Sequence, residues 1–189
     1  MDVYMEYMLK HKKETKDWLI IAGIVLLGVI LSLALLVVTF AAAYALAGNQ
    51  ISSFAFSIGF VLIALIWYLA YLVIGTRNIE YEYILTNGDI DVDRIMSRRG
   101  RKRIASFDFA SADICANVED SSHNYAYKNV NSDRKVIDAT GDKSRGNIYF
   151  ADYTEEGGEK KRLLFQPTSK MIEEIRKFNP RNVFVYEGE

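Results

Sequence analysis

Three aspartates at alternate positions are the first residues whose type and spacing could do chemistry. Asp89, Asp91 and Asp93 occupy the first, third and fifth places of a candidate calcium-binding loop. Such a loop also needs glycine at its sixth position and glutamate at its twelfth, because the chain must turn sharply and a bidentate carboxylate must close the site. Arg94 and Gly100 stand at those positions. The pattern therefore argues against a calcium loop.

One cysteine and one histidine could act as a nucleophile and its base. Cys115 and His123 are close in sequence, with Asp120 or Glu119 available to orient the histidine. No oxyanion-forming or Gly-Ser motif accompanies them, so a buried structural cysteine is the stronger interpretation. The sequence also has no phosphate-binding loop, dinucleotide fingerprint or metal-binding helix. We therefore expect a protein without enzymatic activity, catalytic residues, cofactor or metal.

A cluster of basic residues is the strongest candidate for a binding site. It surrounds a tight turn and consists of Arg98, Arg99, Arg101, Lys102 and Arg103. Two explanations remain open. The cluster could bind anionic lipid headgroups, because each basic residue close to an acidic leaflet contributes about 1 kcal/mol. It could also neutralise acidic residues of its own sheet, since like charges on adjacent strands repel one another.

The charged residues are distributed unevenly along the chain. Between Trp18 and Thr76 there is no Asp, Glu, Lys or Arg, whereas 19 basic and 20 acidic residues follow Thr76. Nucleic-acid-binding domains are usually strongly basic, so the balanced charge of this second part argues against a general nucleic-acid-binding protein. An electrostatic partner must therefore be bound by a local patch.

Two apolar runs predict a transmembrane helical hairpin. Residues 18–47 and residues 51–75 are both longer than the ~20 residues that a helix needs to cross the hydrocarbon layer, and a polar turn at 48–50 separates them. A secretory signal peptide is the alternative for the first run, since Ala43-Tyr44-Ala45 and Ala45-Leu46-Ala47 resemble cleavage sites. The run is about twice as long as the apolar core of a signal peptide, which favours the hairpin.

The residues that flank the hairpin predict its orientation. Four lysines precede the first run and Arg77 follows the second, whereas the turn carries no charge. Lys and Arg near membrane spans stay in the cytoplasm, so we expect a protein of the cell membrane with both termini cytoplasmic. Neither run contains a charged or carboxamide side chain, and ion and proton pathways need such groups. The hairpin is therefore interpreted as an anchor.

The cytoplasmic N-terminal segment, residues 1–17, carries apolar side chains at helical spacing. Tyr4 and Met8 are four positions apart, as are Met5 and Leu9. This spacing fits a short helix at the membrane interface, and a frayed terminus is an equal alternative.

From residue 77 onward the apolar residues follow the alternating pattern of β-strands. Asn87-Gly88 is a strong signal for a hairpin between residues 79–86 and 89–96, because both turn residues tolerate positive φ. This hairpin would place Tyr83 opposite Val92 and Glu82 opposite Asp93. Further strands are predicted at residues 104–109, 135–139, 147–153 and 161–165. The polar stretch 119–132 is predicted to be a mobile loop.

A helix at residues 169–178 completes the predicted elements. The hydroxyls of Thr168 and Ser169 can cap its start, and Pro180 follows its end. The predicted fold class is therefore an α+β membrane protein. An N-terminal transmembrane hairpin is followed by a cytoplasmic β-rich domain at 77–189, a small antiparallel β-barrel or sandwich capped by the C-terminal helix.

Two stretches of the chain resemble a family of two-span membrane proteins from Gram-positive, Clostridia-like bacteria. They are residues 78–94 with Arg101-Lys102-Arg103, and residues 177–184. More loosely, the order of hairpin, Leu-Thr-Asn-Gly turn, basic strand and terminal helix is similar to bacterial membrane proteins with pleckstrin-homology-like (PH-like) domains. The first resemblance brings no known activity. The second implies a PH-like fold and a binding role, although a fold alone never determines function.

These observations predict a non-enzymatic, membrane-anchored module that presents a PH-like domain at the inner leaflet for lipid or protein binding. The alternative is a structural or accessory subunit that associates through its hairpin with a larger membrane complex. The expected partners are the membrane, anionic lipid headgroups and a membrane protein, and nucleic acid is not among them.

Overall fold

The computed structural model describes residues 2–46, 51–97, 100–128, 134–155 and 157–186. The chain divides into two compact units. The first combines Met1–Lys12 with Ile79–Glu189, and the second is Lys13–Asn78. Arg98 and Arg99 of the predicted basic cluster and the predicted turn 48–50 lie outside the described residues.

The second unit consists of two long antiparallel helices, α1 (Thr15–Ala45) and α2 (Ile51–Gly75). Glu14 and Asp17 form a capping box at the start of α1. Both helices are long and apolar enough to cross a membrane, and most of their side chains are exposed. They pack closely at Gly59, where an added Cβ atom would collide with the Thr39 side chain. Helix α1 begins three residues before the predicted start.

The N-terminal segment forms a strand, so the prediction of an interfacial helix at residues 1–17 is wrong. Strand β1 (Tyr4–Lys10) pairs antiparallel with β2 (Ile79–Thr86), and Leu9 is buried in the core of the domain. The β-rich domain predicted at 77–189 therefore lacks one of its strands, because β1 also belongs to it. The two helices are inserted between two neighbouring strands of one sheet.

The first sheet, sheet A, contains β1, β2, β3 (Asp89–Met96) and β4 (Gly100–Asp108) in that order. Asn87 and Gly88 turn the chain between β2 and β3 with φ angles of 51° and 100°. The predicted pairs are confirmed, since Tyr83 lies opposite Val92 and Glu82 opposite Asp93. A bulge shifts the β3–β4 register after Val92.

The second sheet, sheet B, has the order β5-β7-β8-β6, with β5 at Ile114–Asn117, β6 at Lys135–Asp138, β7 at Tyr149–Thr154 and β8 at Lys160–Phe165. Strand β6 runs parallel to β8, which departs from the predicted all-antiparallel pattern, and β5 was not predicted. Both sheets contribute to one apolar core. Within it, the Tyr83 hydroxyl donates to the Ala139 carbonyl (2.7 Å) and accepts from the Gln166 amide (3.2 Å).

The outer face of sheet B is covered by part of the loop that was predicted to be mobile. Residues 119–128 are described and include the short helix α3 (Asn124–Lys128). The buried Arg162 forms a bidentate pair with Asp152 (2.6 and 2.7 Å) and donates to the carbonyls of Tyr127 (2.7 Å) and Ala126 (2.9 Å). A buried arginine that donates from all three of its side-chain nitrogens therefore holds this segment on the sheet.

Helix α4 (Ser169–Phe178) occupies the range predicted for the C-terminal helix. The Thr168 hydroxyl accepts from the Met171 amide (3.2 Å), as a helix cap does. Met171, Ile172 and Ile175 form the buried face of the helix. Beyond it, Val183 pairs with Cys115 of β5, so the tail covers that edge of sheet B.

The insertion of the helices into a strand connection leads to a prediction. His11 donates from its amide to the Ile79 carbonyl (2.9 Å), so these residues can flank a two-residue turn. Replacing residues 12–78 by Asn-Gly is expected to give a soluble, folded domain, as measured by size-exclusion chromatography and circular dichroism.

Residues 77–189 alone provide the comparison. Without β1 this fragment loses Leu9 and the partly buried Met5 and Tyr7 from the core. It is expected to be less stable than the turn-linked domain by at least about 3 kcal/mol, the order expected for burying such side chains. Equal stability of the two proteins in urea would contradict the assignment of β1 to the domain.

Candidate functional site

The candidate site is the end of the first unit where β1 ends at Lys10 and β2 begins at Ile79, here called the proximal end. The β3–β4 turn lies at this end, because Met96 pairs with Ile79 on one side and with Gly100 on the other. The described members of the predicted basic cluster, Arg101, Lys102 and Arg103, therefore follow directly from the proximal end of sheet A.

Two arginines of the basic cluster bind acidic residues of their own sheet. Arg101 pairs with Glu82 and, from Nε, with Asp93 Oδ2 at 3.3 Å. Arg103 pairs with Asp91 Oδ2 at 3.0 Å and with Asp93 Oδ1 at 3.3 Å. Glu82 and Asp93 are only 2% and 3% exposed. Arg101 and Arg103 therefore neutralise acidic residues of their own sheet, which is one of the two explanations that the sequence left open for the cluster.

Lys102 differs from its two neighbours. Side chains alternate along a strand, so Lys102 points away from the face that carries Arg101 and Arg103. It is exposed, and it forms no ion pair with any described residue. Within the described part of the basic cluster, Lys102 is therefore the side chain whose charge is available to a ligand.

The loop between β6 and β7 adds basic residues that the sequence did not point to. Lys143 and Arg145 lie in it with exposed side chains, and their ion pairs are made with Asp138 (2.8 Å) and Asp142 (3.8 Å). Exposed pairs of this kind contribute little to stability. Both basic side chains can therefore exchange their present partner for an anion without unfolding the loop.

Gln166 holds the backbone of this loop. Its Oε1 atom accepts from the amides of Gly141 (2.8 Å) and Asp142 (3.1 Å), and its Nε2 atom donates to the carbonyls of Asp142 and Gly146, both at 2.9 Å. Gln166 is largely buried, so these four bonds are protected from water. The loop therefore presents Lys143 and Arg145 from a fixed backbone.

Residues directly after β1 attach the same loop to the proximal end. The Lys12 ammonium lies 3.1 Å from Asp142 Oδ2 and 3.2 Å from the Ser144 hydroxyl, and its amide donates to the Gly141 carbonyl (3.0 Å). Hydrogen bonds from Ser144 and then from Lys12 lower the pKa of Asp142 to about 2. The carboxylate therefore stays charged at physiological pH. Because Lys12 follows shortly after the end of β1, its contacts place the β6–β7 loop at the proximal end.

The cysteine and histidine are not arranged for nucleophilic catalysis. Cys115 is fully buried, and burial raises the pKa of its thiol. His123 donates from Nδ1 to Asp120 Oδ2 (2.7 Å), which lowers the pKa of Asp120, and its ring stacks on Phe184 with 3.8 Å between ring centroids. The Glu119 amide bonds to Asn117. These contacts fix the loop and the C-terminal tail, as a structural role requires.

The different environments of the basic residues lead to a prediction about stability. Arg101→Ser or Arg103→Ser is expected to lower the free energy of unfolding by about 1–3 kcal/mol, because buried carboxylates lose their counter-charge. Lys102→Ser should change it by less than about 0.5 kcal/mol. Pulse proteolysis of the full chain in detergent measures both, and an equal effect of all three substitutions would contradict the assignment.

No curated protein and no solved structure matches this chain. A family model described as bacterial PH-like domain (DUF6106) matches residues 1–185, which include β1, both long helices, the two sheets and α4. The PH-like resemblance predicted from the sequence is therefore confirmed, and the chain belongs to the bacterial PH-like domain family.

Proposed function

We propose that this protein is a non-enzymatic, membrane-anchored module whose PH-like domain binds anionic lipid headgroups at the cytoplasmic leaflet. In this proposal α1 and α2 cross the cell membrane as a hairpin. The domain lies on the cytoplasmic side, and its proximal end provides the basic residues that contact the headgroups.

The lengths of the two helices support the anchor. Helix α1 has 31 residues and α2 has 25, which correspond to about 46 and 38 Å at 1.5 Å per residue. A hydrocarbon layer of about 30 Å is shorter than either helix. The hydroxyls of Ser32 and Thr39 donate to carbonyls of their own helix, so these polar groups are satisfied without water.

The pairing of β1 with β2 supports an even number of crossings. Both strands belong to one sheet, so the segments before α1 and after α2 must lie on the same side of the membrane. Lysines before α1 and Arg77 after α2 favour the cytoplasm for that side. Cleavage of a signal peptide after Ala45 or Ala47 would remove β1 from its sheet, which argues against the signal-peptide interpretation.

The observation that carries the lipid-binding proposal is the position of exposed basic residues at the proximal end. Ile79 follows the last residue of α2, Gly75, by only four positions, so the chain enters the domain at this end. Lys102, Lys143 and Arg145 are exposed there. At about 1 kcal/mol each near an anionic surface, they would contribute about 3 kcal/mol.

The ion pairs of sheet A restrict which basic residues serve as ligands. If Arg101 or Arg103 turned to a phosphate, the nearly buried Glu82 and Asp93 would lose their counter-charges, which opposes the movement. The five-residue basic cluster is therefore divided in this proposal. Two arginines stabilise the sheet, and Lys102 acts with the β6–β7 loop in binding.

The lipid-binding proposal predicts a contact that can be measured with the full chain in nanodiscs. Amide hydrogen exchange in residues 139–148 is expected to be slower in discs that contain anionic phosphatidylglycerol than in discs of phosphatidylcholine alone. The difference should disappear in the variant K102S/K143S/R145S and in high salt, since charge attraction is screened.

The control variant K160S/R176S/K177S removes the same number of lysines and arginines elsewhere on the domain and should keep the difference. Identical amide hydrogen exchange of residues 139–148 in the two lipids would contradict the lipid-binding proposal. A detergent pull-down of the full chain that recovers a stoichiometric membrane-protein partner would instead favour the accessory-subunit alternative.

The second prediction concerns sidedness. In intact cells a membrane-impermeant maleimide is expected to label Asn49→Cys, whereas Lys170→Cys should react only after the membrane is permeabilised. The native Cys115 is buried and should stay unlabelled in the folded protein. Labelling of the Lys170 variant in intact cells would contradict the proposed orientation.

A further inference from the structure

Strand β1 has one side without a partner strand in the described part of the chain, because it is the outer strand of sheet A. The Val3 carbonyl accepts from Asn87 and the His11 amide donates to Ile79, so odd-numbered residues bond to β2. The alternation of an antiparallel ladder then directs the amides and carbonyls of even-numbered residues outward. These residues are Tyr4, Glu6, Met8 and Lys10.

This edge carries the charged Glu6 and Lys10 but lacks the other features that usually protect an outer strand. It has no proline, glycine or bulge over seven residues, and its inward-facing Met5 and Tyr7 are only partly buried. The opposite edge, β4, carries Arg101-Lys102-Arg103 and a bulge next to it. Natural sheets protect exposed edges with bulges and clusters of like charge, whereas the two charges of β1 are of opposite sign, so its open side is suited to a further strand.

The exposed side chains of β1 are complementary to themselves in an antiparallel pair. With Met8 opposite Met8 of a second copy, Glu6 lies opposite Lys10 of that copy, and Lys10 lies opposite its Glu6. On the inward face, Tyr7 then lies opposite Leu9 of the second copy. This register forms two ion pairs and apolar contacts on both faces, and it joins residues whose backbone groups point outward.

From this complementarity we propose that two copies of the protein associate through their β1 strands, which form an antiparallel pair centred on Met8 and join the two A sheets into one. The occupant of the open edge is thus a second copy of this chain. A shift by two residues in one direction would place Glu6 opposite Met8 and lose both ion pairs. The shift in the other direction would place Glu6 opposite Lys12, which lies beyond β1 and already pairs with Asp142.

Cross-linking of the full chain in native membranes tests the proposal. Opposite residues of such a pair have Cα atoms about 5.5 Å apart, within the range that a disulfide spans. Met8→Cys is therefore expected to form a disulfide-linked dimer on oxidation. Tyr4→Cys is the matched control on the same face, and its two copies would lie about 27 Å apart. The buried Cys115 should not react in either variant.

Charge-reversal variants test whether the cross-link at position 8 comes from the proposed strand pair or from random collision of two copies. In the Met8→Cys background, Glu6→Lys or Lys10→Glu alone should lower the cross-linked fraction roughly tenfold, because two like-charged pairs then face each other. The double variant E6K/K10E should restore it, although its Lys10→Glu change places a second carboxylate opposite Glu80 within each chain. Equal cross-linking at positions 4 and 8, no cross-link at position 8, or no restoration by the double variant would each overturn the proposal.

Discussion

The pairing of β1 with β2 is the constraint on which the rest of this structure depends. The two strands are neighbours in sheet A, yet 68 residues lie between Lys10 and Ile79. Closing a loop of this length with flexible chain would oppose folding through lost entropy. The helices remove much of that loss, because they pack antiparallel and bring Arg77 within 3.8 Å of Asp17. The connection therefore returns close to its own starting point.

This arrangement makes the two long helices a replacement for a β-turn rather than an extension of one terminus. A terminal anchor would connect to the domain at one point, whereas here two strands of one sheet continue into the helices. Core residues on both sides of the insertion then depend on one another, since Leu9 packs into the same core as Tyr83 and Phe165. The family match runs from residue 1 to residue 185, so it includes the inserted helices as well as the strands on both sides of them.

The charges of sheet A show why a basic cluster cannot be assigned to binding by sequence proximity alone. The acidic residues Glu82 and Asp93 face each other across β2 and β3, and their repulsion must be compensated where water is scarce. Arg101 and Arg103 provide the compensation. The exposed Lys143 and Arg145 carry the same charge without this structural demand, because their acidic neighbours are accessible to water or lie on the same loop.

Features that depend on a few consecutive residues were predictable from the sequence. The two helices follow from long apolar runs, the β2–β3 register from Asn87-Gly88, and α4 from its capping hydroxyls and Pro180. The pairing of arginines with Glu82 and Asp93 was also predictable, since β4 had to lie beside β3. In each case the deciding interaction acts between near neighbours in sequence.

Only the tertiary structure decided the features that join distant segments. Met5, Met8 and Leu9 fit a helix by their spacing, while Met5, Tyr7 and Leu9 also fit a strand, and pairing with β2 selects the strand. The parallel position of β6 and the placement of the β6–β7 loop beside Lys12 likewise depend on partners far along the chain. Local periodicity cannot distinguish such alternatives, because the free energy that separates them comes from backbone hydrogen bonds and burial formed only in the complete fold.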